Sequence, residues 1–295
     1  MDKNLTALVS CFARAYHAKH NSHCIYKDES AQKILTAEEY DAVSKNMANG
    51  IKFFHPDFMG SDAEALRWIV NNNLAPTVLG RSAFCERLLE NAQLIGFRQC
   101  LIFASGYDTS AYKDEYKNML VLEIDRHEMI DDKRARIQKA GLDLPNIQYS
   151  CCDFSNPKWS DNILCTDYNR NERSFSSLLG ISYYLTEQEF DNMIKSISDI
   201  TCGGSEIVFD YPTACSDGIS AQNSRLALAA NEEMKAEYTY EQIERLMSKH
   251  GYLIYEHLNY DEIEKQYFEK FNLTHRHKLH APLGVSYCLA VKKRA

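Results

Sequence analysis

The chain has 295 residues, of which 45% are hydrophobic and 25% charged, and its net charge is -8. That is enough apolar material for a full core, and the acidic balance disfavours a nucleic-acid partner, because phosphate backbones are repelled. No apolar run approaches the roughly 20 residues that span a bilayer, and the opening MDKNLTALVSCFARAY lacks a cleavage pattern, so a cytoplasmic protein with no membrane partner is expected.

Residues 1–98 read as helical. Asn4 to His20 carries an apolar stripe at Leu5, Leu8, Val9, Phe12 and Tyr16, which is helical spacing. Thr36-x-x-Glu39 is a capping box that opens a second helix. Asp62 to Asn72 and Arg81 to Leu94 read as two more. This region is expected to form a helical lid over a core that starts at residue 99.

From residue 99 short β-rich runs alternate with helical stretches. The runs are Cys100–Ala104, Leu120–Ile124, Ile147–Cys151, Phe175–Leu179, Ile207–Tyr211, Leu253–His257 and Ser286–Val291. Helices are expected over Glu128–Ala140, Thr186–Ile200 and Thr239–His250. Thr186-x-x-Glu189 and Thr239-x-x-Gln242 open the last two, and Gly251 stops the third. Such alternation implies an α/β fold with a seven-stranded, mostly parallel, doubly wound sheet. The last two runs are joined by a long polar segment, which points to an antiparallel final strand.

The ten cysteines do not imply a disulfide framework in a chain of this length without an export signal. Cys24, Cys85, Cys100 and Cys288 sit among apolar residues and read as small buried hydrophobes. The vicinal Cys151-Cys152 reads as two neighbours on opposite faces of a strand.

The stretch from Leu101 to Asp125 carries the chemistry. A small-residue turn, Ala104-Ser105-Gly106, follows the first strand, and Asp125 ends the second, 19 residues after Gly106. In nucleotide-binding sheets an acidic residue about 20 residues after such a turn accepts hydrogen bonds from ribose hydroxyls. The turn has a single glycine and is not GxGxxG, so it is not built for a pyrophosphate, and a nicotinamide-dependent oxidoreductase is disfavoured. S-adenosylmethionine offers an adenosine without phosphates and suits the motif better.

Further motifs accompany this one. Phe103-Ala104-Ser105-Gly106-Tyr107-Asp108-Thr109 is followed by Leu122-Glu123-Ile124-Asp125, then Asp132-Lys133-Arg134, Cys152-Asp153-Phe154, Tyr184-Leu185-Thr186 and Tyr287-Cys288-Leu289, with Arg81 about 25 residues before the glycine turn. Together they resemble the leucine carboxyl methyltransferase family and its bacterial O-methyltransferase relatives, over residues 5–295 and most densely over 81–212. The resemblance implies that the cofactor is S-adenosylmethionine. It implies that Arg81 pairs with the methionine carboxylate, that Ser105 and Gly106 lie at the ligand, that Asp125 binds the ribose, and that Asp153 and Phe154 hold and cover the adenine. Two positions depart from the family pattern. Ala104, or Ser105 in a shifted register, stands where the family has its first motif glycine. Leu179, followed by Gly180, stands where it has a glutamate near the methionine end of the cofactor, which leaves a methyltransferase-like binding protein without turnover as an alternative.

The expected activity is O-methylation of a carboxylate or hydroxyl on a small molecule or peptide. A carboxylate needs no general base, whereas a hydroxyl does. His127, Tyr183, Tyr211 and His280 are candidates for such a base, and none is singled out. The clusters His17-x-x-His20-x-x-His23 and His275-x-His277-x-x-His280 lack the spacing of a zinc site, so no metal is expected. The second cluster, just before the last strand, suits a substrate-pocket or surface role.

Overall fold

Seven strands form one sheet in a computed structural model that describes residues 5–213 and 235–294. The strands are β1 (Gln99–Phe103), β2 (Leu120–Asp125), β3 (Ile147–Cys151), β4 (Ser174–Leu178), β5 (Glu206–Pro212), β6 (Tyr252–Leu258) and β7 (Val285–Lys292). Their order is β3-β2-β1-β4-β5-β7-β6. The first five are mutually parallel, and β7 runs antiparallel to both β5 and β6, between them. The expected antiparallel last strand is therefore present.

The inner strands β1, β2 and β5 are buried on both faces because apolar residues stand in successive rather than alternate positions. Cys100 and Ile102 of β1 point into one layer with Phe84 and Leu88, while Leu101 and Phe103 point into the other with Phe190 and Ile194. Buried thiols fit here as small hydrophobes. Cys85, Cys100 and Cys288 are enclosed, and burial pushes each thiol well up from its ordinary value. Cys24 is only half-buried, with its thiol directed at the Asn21 carbonyl, so it does not belong to the core as expected. Cys151, the last residue of β3, is exposed and Cys152 is buried, so the pair faces opposite ways as expected, although Cys152 lies just past the strand end.

Helices before the sheet are α1 (Leu5–His20), α2 (Glu29–Ile34), α3 (Ala37–Asn49), α4 (Ile51–Phe54), α5 (Asp62–Ile69) and α6 (Ala75–Leu94). Asn4, where the first helix is expected to begin, lies outside the described residues. Thr36 and Glu39 form the expected reciprocal cap of α3. The two helices expected at 62–72 and 81–94 are nearly one. α5 runs into a π turn, Val70–Leu74, and then into α6, which begins six residues earlier than its sequence pattern suggests. Pro76 in the first turn of α6 has no N–H to donate backward, and the wider turn absorbs the lost bond.

The remaining helices are α7 (His127–Ala140), α8 (Glu187–Ile200) and α9 (Tyr240–Lys249). The capping boxes at Thr186 and Thr239 are both formed. The polar segment before β7 holds helix that its composition does not announce: α10 (Tyr260–Ile263), a π turn, and α11 (Glu269–Thr274). No helix among the described residues is long and apolar enough to cross a membrane.

Candidate active site

The strand order reverses between β1 and β4, and ligands of such sheets bind beyond the carboxyl ends of the strands at that point. A cavity of about 540 Å³ lies there. All six sequence-expected site residues line it: Arg81, Ser105, Gly106, Asp125, Asp153 and Phe154.

The turn after β1 is tightly specified. Ala104 has φ of 49°, the sole positive φ at a non-glycine position among the described residues. Its left-handed backbone shows why the family has glycine there and fixes Ala104, not Ser105, as the replacement. Gly106, with φ of 45°, comes next, and a Cβ there would lie 3.3 Å from Cβ of Ala7 on α1. The Gly106 amide donates to Asp125 Oδ2 at 2.8 Å, and the Arg126 amide donates to Oδ1 at 2.7 Å. Asp125 is thus oriented by backbone before any ligand arrives. Ser105 is buried, and its Oγ meets no partner among the described residues. A buried hydroxyl left open at a cavity wall is a place for a ligand atom.

At the opposite wall, Asp153 ends the segment after β3, exposed, with Oδ1 accepting from the Ser155 amide at 3.0 Å and the Ser155 hydroxyl at 2.7 Å. These bonds hold its carboxyl below the usual carboxylate range. Phe154 rests against Trp159, with centroids 5.2 Å apart and rings nearly perpendicular, and Trp159 in turn meets Phe103 edge-on. This gives an apolar platform beside an acidic edge, which fits an adenine ring.

Arg81 comes from α6 and is not a surface residue. Its side chain is 17% exposed and its Nη1 donates to Asp210 Oδ2 at 3.2 Å. Burial opposes the charge, but Asp210 beside it outweighs this and raises the guanidinium pKa. A guanidinium has five N–H donors. One is used on the described residues, so the rest remain for an anion in the cavity.

Sequence reasoning missed other residues. Arg14 of α1 is buried, donating from Nε to Asp28 Oδ2 at 2.8 Å and from Nη2 to the Tyr107 carbonyl at 2.6 Å. Thr109 donates to the same Asp28 oxygen at 2.6 Å. A buried ion pair therefore fastens the first helices to the loop after β1. Lys235 also lines the cavity, beside Leu179 and Tyr184, which the sequence motifs already mark. Asp210, at the end of β5, stands behind Arg81. No local pattern marks Arg14, Lys235 or Asp210, because each depends on contacts across many residues of sequence.

None of the four candidate bases lines the cavity. His127 is exposed and pairs with Asp131 at 2.8 Å. Tyr183 donates to Asp210, Tyr211 bonds His257 at 2.7 Å, and His280 pairs with Glu264 on the surface. The two histidine clusters meet each other: His23 and His275 are in edge contact, and His275 stacks on Phe271, which also touches His17. They are not in the cavity, so a substrate-pocket role for the second cluster is replaced by a surface one. Among the described residues, the side chains close enough to share a metal ion are Glu86, Glu90 and Glu115 alone.

A seven-stranded sheet of this order, with a cavity at its switch point and no pyrophosphate loop, is the architecture of class I S-adenosylmethionine-dependent methyltransferases, and the protein is an enzyme of that class. The leucine carboxyl methyltransferase family model matches residues 7–198, and the chain belongs to that family. It is 34% identical to YktD of Bacillus subtilis (strain 168), assigned as an S-adenosyl-L-methionine-dependent methyltransferase, over 99% of both chains. Its fold matches a DUF574 family protein from Streptomyces avermitilis (14% identity, 83% of this chain and 96% of that one, TM-score 0.58). It also matches a protein described as a methyltransferase from Thermobifida fusca (15% identity, 88% of this chain and all of the other, TM-score 0.58). The cofactor is S-adenosylmethionine.

Proposed function

We propose that the protein methylates a carboxylate oxygen on a small molecule or peptide. The observation that carries this reading is the make-up of the cavity wall. Its described cations are Arg14, Arg81, Arg126 and Lys235, and no histidine is among the described lining residues. The lining carboxylates Asp108, Asp125 and Asp153 each accept hydrogen bonds from neighbouring backbone amides. A wall with cations and no imidazole suits an acceptor that is already anionic and needs no proton removed.

S-adenosylmethionine supplies a methyl group on a sulfonium, which transfers by direct displacement. The protein's part is placement. Arg81 holds the amino-acid end, Ser105 and Asp125 the ribose, and Asp153 with Phe154 the adenine. Positioning of this kind is worth up to roughly 7–11 kcal/mol of the barrier.

The helices of residues 5–94 act as a lid region on the core of residues 99–294. Thr6, Ala7 and Ser10 of α1 line the cavity, which supports this. S-adenosylmethionine is then expected to slow proteolytic cleavage within residues 1–60, and an unchanged cleavage rate would refute the lid. The unpaired state of the described cysteines is in keeping with a cytoplasmic enzyme, and the charge of -8 with one that has no nucleic-acid partner.

Product chemistry tests the acceptor class. Methyl-labelled cofactor is offered with matched carboxylates and hydroxyl compounds. Methyl esters release the label as methanol in mild base, whereas ethers keep it. Label found only in base-stable products would overturn the carboxylate reading.

A further inference from the structure

The methionine end of the site lacks the carboxylate that β4 supplies in the family, since Leu179 is there. The neighbouring strand brings one instead. We propose that Asp210, at the end of β5, is the positioning residue that fixes the Arg81 guanidinium for the carboxylate of the cofactor. The proposal rests on the reading of Arg81 as the contact for that carboxylate.

Asp210 is 1% exposed and does not line the cavity, so it acts through Arg81 rather than on the ligand. Its Oδ1 accepts from the Gly180 amide at 2.6 Å. Its Oδ2 accepts from Tyr183 Oη at 2.9 Å and from Arg81 Nη1 at 3.2 Å. Its carbonyl accepts from Ser182 Oγ at 2.6 Å. Both carboxylate oxygens are thus set by the turn after β4, and the rotamer is fixed independently of Arg81.

The same turn shapes the seat of the guanidinium. Gly180 has φ of 72°, and a Cβ there would lie 2.6–2.8 Å from Nη1, Nη2 and Cζ of Arg81. The guanidinium lies flat against bare backbone, pinned at one edge by Asp210. An arginine side chain loses much rotamer entropy when it is held, so an arginine ordered before binding spares the cofactor that cost. Asp210 also supplies the counter-charge without which a buried guanidinium is costly. Gly180, Tyr183 and Asp210 together form a cradle whose purpose is to aim Arg81.

The test is titration calorimetry with S-adenosylmethionine, S-adenosylhomocysteine and 5′-methylthioadenosine. The third keeps the adenosine and sulfur but has no carboxylate. Asp210→Asn is expected to weaken the first two by about tenfold and to leave the third within about twofold, as the loss of one charge-assisted interaction predicts. Equal weakening of all three, or of none, overturns the proposal, because a merely structural role would not distinguish them. Arg81→Gln separates the two readings. If it abolishes the preference for carboxylate-bearing ligands while Asp210→Asn preserves it, Arg81 keeps its role and Asp210 loses its own. If Arg81→Gln leaves the preference intact, both fall. Should Asp210→Asn not fold, Tyr183→Phe removes the second hold on Oδ2 while keeping the charge. Its expected loss is about threefold, the size of one neutral hydrogen bond, confined to the same two ligands. An unchanged preference in that variant overturns the proposal.

Discussion

The Gly106 amide and the Asp125 carboxylate meet at 2.8 Å across 19 residues of sequence. The bond ties the turn after β1 to the end of β2, so the two halves of the cofactor motif are one unit. Asp125→Ala removes both the expected ribose contact and the acceptor for the Gly106 amide. Affinity for S-adenosylmethionine should fall by at least about tenfold. Asp125→Asn keeps an acceptor for Gly106 and should fold more stably than the alanine variant. Calorimetry with thermal melting checks both, and unchanged affinity in Asp125→Ala would remove the ribose role.

Ala104 holds a left-handed backbone, which costs an L-residue roughly 1–2 kcal/mol relative to glycine. Glycine in turn loses about 0.5–1 kcal/mol of entropy on folding. Ala104→Gly should therefore stabilise the protein by about 0.5 kcal/mol, the net of these opposing effects. Urea denaturation measures this, and a destabilised variant would mean that the methyl group packs to advantage in the cavity wall.

Glu123 and Lys133 form an ion pair at 2.8 Å with both side chains fully enclosed, joining β2 to α7. Burial pushes the Glu123 carboxyl up to about 7, even with Lys133 beside it. Glu123→Gln leaves an ammonium without its counter-charge and should cost about 3–5 kcal/mol. Replacing both, as Glu123→Leu with Lys133→Met, should cost far less, since an apolar pair of similar volume carries no desolvation penalty. Equal losses in the single and double variants, read by urea denaturation, would contradict this account.

His17 is buried and accepts from the Ile25 amide through Nε2 at 3.1 Å. Burial, aided by the nearby His275, holds its imidazole down to about 4. In the unfolded chain a histidine titrates near 6.5. Between these values the unfolded state takes up a proton that the folded state refuses. Stability from His17 is therefore whole above about 6.5 and is lost as pH falls toward 4, by up to about 3 kcal/mol. Glu123, with its raised pKa, works in the opposite direction over an overlapping window. The comparison is thus between wild type and His17→Gln, whose stability difference should shrink as pH falls from 6.5 to 4. A difference independent of pH would show that folding leaves the His17 pKa unshifted.

Much of this architecture is legible in the sequence because it is local. The capping boxes at Thr36, Thr186 and Thr239 announce helices that form where expected, since each is closed within three residues. Each strand lies within a residue or two of its apolar run. The Gly106–Asp125 side of the site is legible for the same reason: the spacing of these residues is a property of one strand–turn–strand unit. What escapes is non-local. Arg14 reaches Tyr107, and Asp210 reaches Arg81, through packing that no periodicity records. The helix at α10 and α11 escapes because its surface is polar and its register shifts at a π turn. The π turn before Pro76 likewise hides the true start of α6.

The position of β7 bears on the order in which the molecule assembles. It is the last of the seven described strands in sequence, yet it lies inside the sheet, between β5 and β6. Its Tyr287 packs against Gly80, where an added Cβ would be 2.5 Å from the tyrosine hydroxyl, one residue from Arg81. Strands β1 to β5 pair among themselves, but α6 has its full set of neighbours only when Tyr287 of β7 is in place. The seat of α6, and with it the setting of Arg81, is therefore complete only once β7 has entered the sheet, so the two most distant parts of the chain close this wall of the cavity together.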